Sequence, residues 1–335
     1  MKTILAALAM PLVLSSTTLV LSVFPFVLSL SKPAHAQGYP DRPIRIVVPF
    51  GQGGFTDVAA RILQKELAPA IGQAIIIENK PGAGSTIGTA EVSRAKPDGH
   101  TLVMISTAHV ISPHLYKQMP YDPLKDFAPV TKLAEGPYVL VVHPSLGVKS
   151  VAELVALAKA QPGKVDYASS GNGSAQHLVG ALFTTIAGVD MNHVPYKGSN
   201  QAMNDLLGGQ VKVSFVGVPN ALPHFASGKL RALGVSSAKR YSELPDVPSI
   251  AEAGVPGYDA TIWLGLLAPP GTPRDVVQRL NAEITRVLSA PEARKLMSSA
   301  GVDVATGTPE DFGRLMAAEL ERWGKVVKET GATVN

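Results

Sequence analysis

The run IRIVVPFGQGGFTDVAARILQKELAPAIG, residues 44–72, limits this chain more than any other stretch. Residues 44–50 are mostly apolar without strict alternation, which suits a strand covered on both faces. Gly51, Gly53 and Gly54 follow, and Thr56 and Asp57 then open a helical pattern. Val58, Ile62, Leu63 and Leu67 fall on one face of that helix, and Gly72 stops it. AIIIEN (74–79) reads as the next strand, STIGTAEVSRA (85–95) as a helix and HTLVMIST (100–107) as a third strand. Short strand–helix–strand units of this kind imply a parallel sheet with helices on both faces.

The pattern repeats after EGPYVLVVHP. Helix 149–160 leads to KVDYAS (164–169), to a second glycine loop, SGNGS, and to helix 174–187. MNHVPY, helix 199–208, VKVSFVG (211–217), a short helical segment and KLRALGVS (229–236) complete the series. The Pro-rich stretch 243–258 reads as a connector, and ATIWLGLLAP (260–269) as one more strand. Helices are expected at 273–289, 291–300 and 309–329, the last with a core stripe of Phe312, Met316, Leu320, Trp323 and Val327. These terminal helices need a sheet to pack on, and the first series has few helices of its own. The chain is therefore expected to cross into a second lobe and return, which makes a hinge. The expected fold is α/β with two lobes, each a mainly parallel sheet flanked by helices, joined by crossing strands near 136–143 and 258–266. Lobe one takes 37–136 and 258–335, and lobe two takes 137–257.

At the N-terminus, Lys2 precedes an apolar run from Ile4 to about Leu30, and Ala34-His35-Ala36 is a small-x-small site. Residues 1–36 read as a Sec signal peptide cleaved after Ala36, which implies a periplasmic protein. No later run is long enough to span a bilayer. The sequence holds 0 Cys, which excludes disulfides, thiolate metal sites and thiol nucleophiles. Basic residues beyond the signal are scattered, so there is no footprint for nucleic acid.

What the first glycine loop holds is the functional question. A phosphate-binding P-loop needs a Lys after its last glycine, and none occurs between Arg45 and Lys65. A dinucleotide fingerprint matches at Gly51 and Gly53 but meets Thr56 where the third glycine belongs; Glu78 stands where a ribose-binding acid would. An NAD(P)-linked oxidoreductase is the lesser alternative. Backbone chemistry offers another reading: uncapped N–H groups and the helix dipole can hold a carboxylate without Arg or Lys. Against it stands a plain tight turn with Thr56 as N-cap. YASSGNGSAQH (167–177) repeats the device, so two helix N-termini, one per lobe, could each hold one anionic end of a ligand. Catalysis has no support: there is no G-x-S-x-G elbow, and no His pair sits at metal-ligand spacing. No cofactor, metal or enzymatic activity is expected. His109 and His114 flank a strand end and read as capping or surface groups. His177, one turn into the second helix, suits an ordinary hydrogen bond or a ligand contact equally. Asp57 is either a first-turn acid or a partner for a ligand ammonium; no second acid accompanies it in the loops, so a plain organic acid is favoured over an amino acid.

YPDRPIRIVVPFGQGGFTDVAAR, ENKPGAGSTIGTAEVSRAKPDGHTL, SGNGSAQH, HVPYKGSNQAMNDLLGGQV and LPDVPSIAEAGVPGYDATIWLGLLAPPGTP together resemble the receptors of tripartite tricarboxylate transporters, the Bug family, over essentially all of 39–335. The resemblance implies a two-lobed periplasmic type II binding protein. Its ligand would be a small di- or tricarboxylate or an aromatic acid, passed to one large and one small membrane subunit. An exported sensor or orphan receptor without a transport role is the alternative. The resemblance also implies that backbone N–H groups and waters hold the carboxylate, at loops matching 50–57 and 169–174. The candidate ligand-binding residues are Phe50, Gly51, Gln52, Gly53, Gly54, Phe55, Thr56 and Asp57, with Ser169, Ser170, Gly171, Asn172, Gly173, Ser174 and His177. Gln52 and Phe55 depart from the family pattern. Phe55 either lends an aromatic edge to the site or packs against a neighbouring helix. A monomer is expected.

Overall fold

The computed structural model describes residues 38–172 and 174–330. The expected signal peptide and its cleavage site, and Gly173 of the second loop, lie outside the described residues.

The chain alternates as expected through β1 (Ile44–Val48), α1 (Phe55–Ile71), β2 (Ile75–Asn79), α2 (Thr86–Ser93) and β3 (Thr101–Ser106). It then adds α3 (Ala108–Leu115) and β4 (Ala128–Gly136). The second series is β5 (Tyr138–Val142), α4 (Val151–Ala160), β6 (Asp166–Ser169), α5 (Ala175–Ala187), β7 (Asn192–Pro195), α6 (Ser199–Leu207), β8 (Val213–Gly217), α7 (Val218–Ala226) and β9 (Arg231–Val235). The return leg is β10 (Ile262–Ala268), α8 (Arg274–Leu288), α9 (Pro291–Ser299), β11 (Asp303–Val304) and α10 (Pro309–Thr330).

These strands form two sheets, in the orders β11-β4-β10-β3-β1-β2 and β7-β6-β8-β5-β9. Each sheet is mixed. The strands followed by glycine loops pair in parallel, β1 with β2 and β3, and β6 with β7 and β8. The strands that carry the chain between the sheets, β4, β5 and β10, pair antiparallel. A strand that leaves one lobe to enter the other runs against its neighbours, which is why the parallel character expected from the repeating units covers only part of each sheet.

Helix α1 buries Thr56, Asp57, Ala59, Ala60, Leu63, Leu67 and Ile71, while Val58 is 37 % exposed. The expected stripe was therefore misplaced at its start. The small Ala59 and Ala60 face the sheet, and Val58 looks away. The stripe of α10 is as expected: Phe312, Met316, Trp323 and Val327 are buried and Leu320 packs beside them. One apolar core runs from lobe one into lobe two, joining Val103, Trp263, Phe312 and Trp323 to Phe183, Phe215 and Tyr258.

Both crossings are clasped by one hydroxyl. Ser236 Oγ accepts from the Tyr138 N–H at 2.9 Å and donates to the Ala260 carbonyl at 2.9 Å. The Ser236 N–H donates to the Tyr138 carbonyl at 2.8 Å, and the Ala260 N–H to the Ser236 carbonyl at 2.7 Å. Ser236 is fully buried. The outgoing and returning segments thus meet at a single residue.

Candidate ligand-binding site

In α/β sheets, loops that leave the carboxyl ends of parallel strands are the usual place for a ligand. Here the loops after β1, β2 and β3 share one edge of the first sheet, and the loop after β6 occupies the matching edge of the second. Ala175 and Val179 of α5 come up against Thr107 and Ile111 beside Trp323, around a gap of about 10 Å³. The N-terminal turn of α5 therefore faces the end of β3, whose sheet neighbour β1 carries the first glycine loop.

The first loop is built around Asp57. Gly54 occupies the cap position of α1 and supplies no side chain to the helix N–H groups, so Thr56 is not the N-cap but a buried residue of the first turn. The Asp57 carboxylate turns back instead. Its Oδ2 accepts from the Gly53 N–H at 2.9 Å and from Arg61 Nε at 3.0 Å. Its Oδ1 accepts from Arg61 Nη2 at 3.1 Å and Asn79 Nδ2 at 2.9 Å. A carboxylate offers about four acceptor positions, so Asp57 is saturated. Burial alone would raise its pKa, but the hydrogen bonds from Arg61, Gly53 and Asn79 outweigh burial and hold it below the ordinary value. Asp57 thus shapes the loop, with all its acceptor positions taken by the protein.

Asn79, at the end of β2, also donates to the Phe50 carbonyl at 3.1 Å, tying the loop's entrance to its first helical turn. Gly53 sits at φ 76°, a left-handed conformation in which a side chain is strained even though open space surrounds it. Gly51, Gln52, Gly53 and Gly54 are exposed, and the N–H groups of Phe55 and Thr56, at the start of α1, meet no side-chain cap. Phe50 and Phe55 are half-buried and pack on the lobe-one core. Packing is thus what the structure shows for Phe55.

The second loop is more self-contained. Ser170 N–H donates to Gln176 Oε1 at 2.9 Å, and Gly171 N–H to Ser169 Oγ at 3.1 Å. Ser174 caps α5 by accepting from the His177 N–H at 3.2 Å. Ser169 is fully buried and His177 nearly so, while Asn172 is exposed. The side chains of Ser169 and Ser174, with the N–H groups of Ser170 and Gly171, therefore serve the loop itself. The first-turn N–H groups of Ala175 and Gln176 remain as the outward donors of α5.

Several partners left no mark in a reading of motifs. Gln176 Nε2 donates to the Phe215 carbonyl at 2.8 Å, so its buried amide bridges loop and sheet. A third loop, Gly82–Ser85, holds four successive residues at φ 133°, 44°, 60° and 79° at the start of α2. Ser112 donates to the Gly84 carbonyl at 3.1 Å and fastens that loop to α3. His109 is enclosed rather than superficial: it stacks on Tyr121, its Nε2 lies 2.9 Å from the Pro123 carbonyl, and burial pushes its pKa down to about 4. Glu78, the would-be ribose acid, is engaged by Arg45 at 2.6 Å and Lys80 at 3.1 Å.

A larger concavity, about 520 Å³, lies between Phe225, Arg231 and the Glu243–Val247 turn. It contains none of the glycine-loop donors. Among the described residues there is no cluster of three or more metal-ligating side chains, and no helix is long and apolar enough to cross a membrane.

Comparison with known proteins accounts for this arrangement. The family model described as tripartite tricarboxylate transporter family receptor matches residues 59–332. BugT of Bordetella pertussis is 38 % identical over 315 residues, covering 93 % of this chain and 97 % of BugT. An R. palustris protein solved with adipate is similar at a TM-score of 0.81 and 37 % identity, over 88 % of this chain and 100 % of that one. MatC from Rhodopseudomonas palustris, solved with bound malate, gives 0.76 and 35 %, over 86 % and 100 %. The oxidoreductase alternative falls with these matches, because Glu78 is spent in ion pairs and the relatives are solute receptors. The chain belongs to the tripartite tricarboxylate transporter receptor family, whose members are periplasmic binding proteins and not enzymes.

Proposed function

We propose that this receptor captures a small aliphatic dicarboxylate between its lobes and delivers it to the large and small membrane subunits of a tripartite transporter. The observation that carries the reading is the pairing of an uncapped α1 N-terminus with a saturated Asp57. The loop offers donors to a carboxylate and nothing to an ammonium group. The first turn of α5 would take the second carboxylate. Adipate and malate in the related structures fit that chemistry. With Phe55 packed on the core, an aromatic acid has less to recommend it. In this reading the lobes are 37–136 with 258–335, and 137–257, and the mature protein begins at Gln37 and works as a monomer.

Each hydrogen bond to a charged acceptor contributes roughly 1.5–3 kcal/mol. Two or three such bonds at each of the two jaws give roughly 6–18 kcal/mol, which with the helix dipoles brings micromolar binding, about −8 kcal/mol, within reach after the roughly 4–15 kcal/mol cost of association. Titration calorimetry with adipate, malate, succinate, citrate, aspartate, benzoate and NADH tests the proposal. Saturable binding of a plain dicarboxylate, with aspartate weaker, is expected; aspartate binding tighter than its deaminated counterpart succinate would overturn the role given to Asp57. Gly53→Val should abolish binding with the far-ultraviolet circular dichroism unchanged. Loss of uptake on deleting the membrane subunits separates a transport receptor from an orphan one.

A further inference from the structure

Beneath the second glycine loop lie two histidines that the function has not used. The rings of His177 (α5) and His193 (β7) stack with centroids 3.8 Å apart and planes 6° from parallel. His193 Nε2 is 2.6 Å from Ser169 Oγ. That same oxygen accepts from the Gly171 N–H at 3.1 Å and lies 3.1 Å from the Gly171 carbonyl. A hydroxyl has one proton and two acceptor positions. When Nε2 is bare, the Ser169 proton must point to it. When Nε2 carries a proton, Ser169 receives that bond and turns its own proton to the Gly171 carbonyl. The turn at Gly171 therefore registers whether Nε2 of His193 carries a proton.

We propose that His193 is a positioning residue of the lobe-two half of the site, setting the Ser169–Gly171 turn beside the first turn of α5, and that its stack on His177 makes carboxylate capture proton-linked. The proposal rests on the reading of α5 as the second carboxylate jaw. Two parallel rings this close admit one charge at most. Burial pushes both down to about 4, with the neighbouring His177 contributing at His193, so the pair is neutral near pH 7. On β6 stand Tyr167, 5.0 Å from His193, and Ser169; on α5, Ser174. The carboxylates of β6 and α6, Asp166 and Asp205, accept from Asn192 and Tyr196. Lys197 lies on the turn that follows β7. The positive end of the α5 dipole disfavours a proton on either ring, and an anion docked there offsets that field. Anion binding thus raises the proton affinity of the pair. By reciprocity, protonation of the pair strengthens the hold on the anion.

Nuclear magnetic resonance of the ligand-free receptor between pH 3.5 and 8 tests the positioning claim without any ligand. The Gly171 amide signal should move with the His193 titration; a signal indifferent to it overturns the claim. Calorimetry with adipate at pH 5 and pH 7 tests the linkage. The affinity ratio between the two pH values should be several-fold higher in the wild type than in the double variant His177→Gln/His193→Gln. Equal ratios would sink the linkage, since titration of adipate itself cancels in the comparison. At pH 7, His193→Phe keeps a ring on His177 but loses the bond to Ser169, and should bind adipate about five- to tenfold more weakly. His193→Gln, whose amide can still meet Ser169, should recover most of that loss; wild-type affinity in His193→Phe contradicts the proposal. If the wild type bound no dicarboxylate, the receptor reading would fail while the Gly171 signal still decided the role of His193.

Discussion

Asp57 organises the first loop through four hydrogen bonds, and its removal has a calculable cost. Asp57→Ala takes the acceptor from the Gly53 N–H and one of two acceptors from the Asn79 amide, and should destabilise the protein by about 2–3 kcal/mol in a denaturant titration. The sign of its pH dependence follows from the lowered pKa in the fold. Stability from Asp57 is complete above the unfolded value, near pH 4, and is lost as pH falls through the lower folded value. The buried histidines act in a different window. His109, His177 and His193 have folded values of about 4, below their ordinary 6.5. An unfolded chain binds more protons than the fold between these limits, so stability is full above pH 6.5 and declines toward pH 4. Melting temperature in the Asp57→Ala variant should track the wild type from pH 8 to pH 4.5 at a constant offset, and converge with it only below pH 4.

At the scale of elements, close approach of backbone to side chain decides where α5 lies. A Cβ on Gly180 would stand 2.3 Å from Tyr167 Cε2. Gly180→Ala must push α5 off β6, costing about 1–3 kcal/mol and displacing the donors at its N-terminus; thermal unfolding and adipate affinity should fall together. The helices that the sequence announced are those with one apolar stripe and a stop signal, such as α1 with Gly72 and α10. Helix α3 escaped notice because its first residues, Ala108–Ser112, are buried all round and leave no periodic contrast, and because Pro113 interrupts it. Strand β4 was hidden by Lys132 and Glu135, which pair with each other on an otherwise apolar strand. The two glycine loops were legible as loops. What could not be read was which polar groups the loops spend on themselves, because Asn79 and His193 reach them from distant sequence and the Gln176 amide folds back onto Ser170 from within the helix.

At the scale of the whole molecule, the lobes are not independent. Each lobe has a core cluster of its own, and a third cluster joins Trp263 and Trp323 to Phe183 and Phe215 across them. Calorimetric unfolding of the mature chain should show one transition; two resolved transitions would argue for separable lobes. Ser236 is the narrowest point of the connection, and Ser236→Ala strands the buried Tyr138 N–H and Ala260 carbonyl. A loss of about 1–3 kcal/mol is expected, read as a lower melting temperature, and an unchanged one would count against the clasp.

The neutrality of the first loop also bears on how a ligand arrives. The Arg61 charge is answered by Asp57 at 3.0 Å, so the loop itself attracts only through its oriented N–H groups. Such a field fades within a few ångströms, inside the roughly 10 Å over which dissolved ions screen at 0.1 M salt. Longer-range steering of an anion is left to the net positive charge of the chain as a whole, so the encounter rate should fall only modestly between dilute buffer and brackish water.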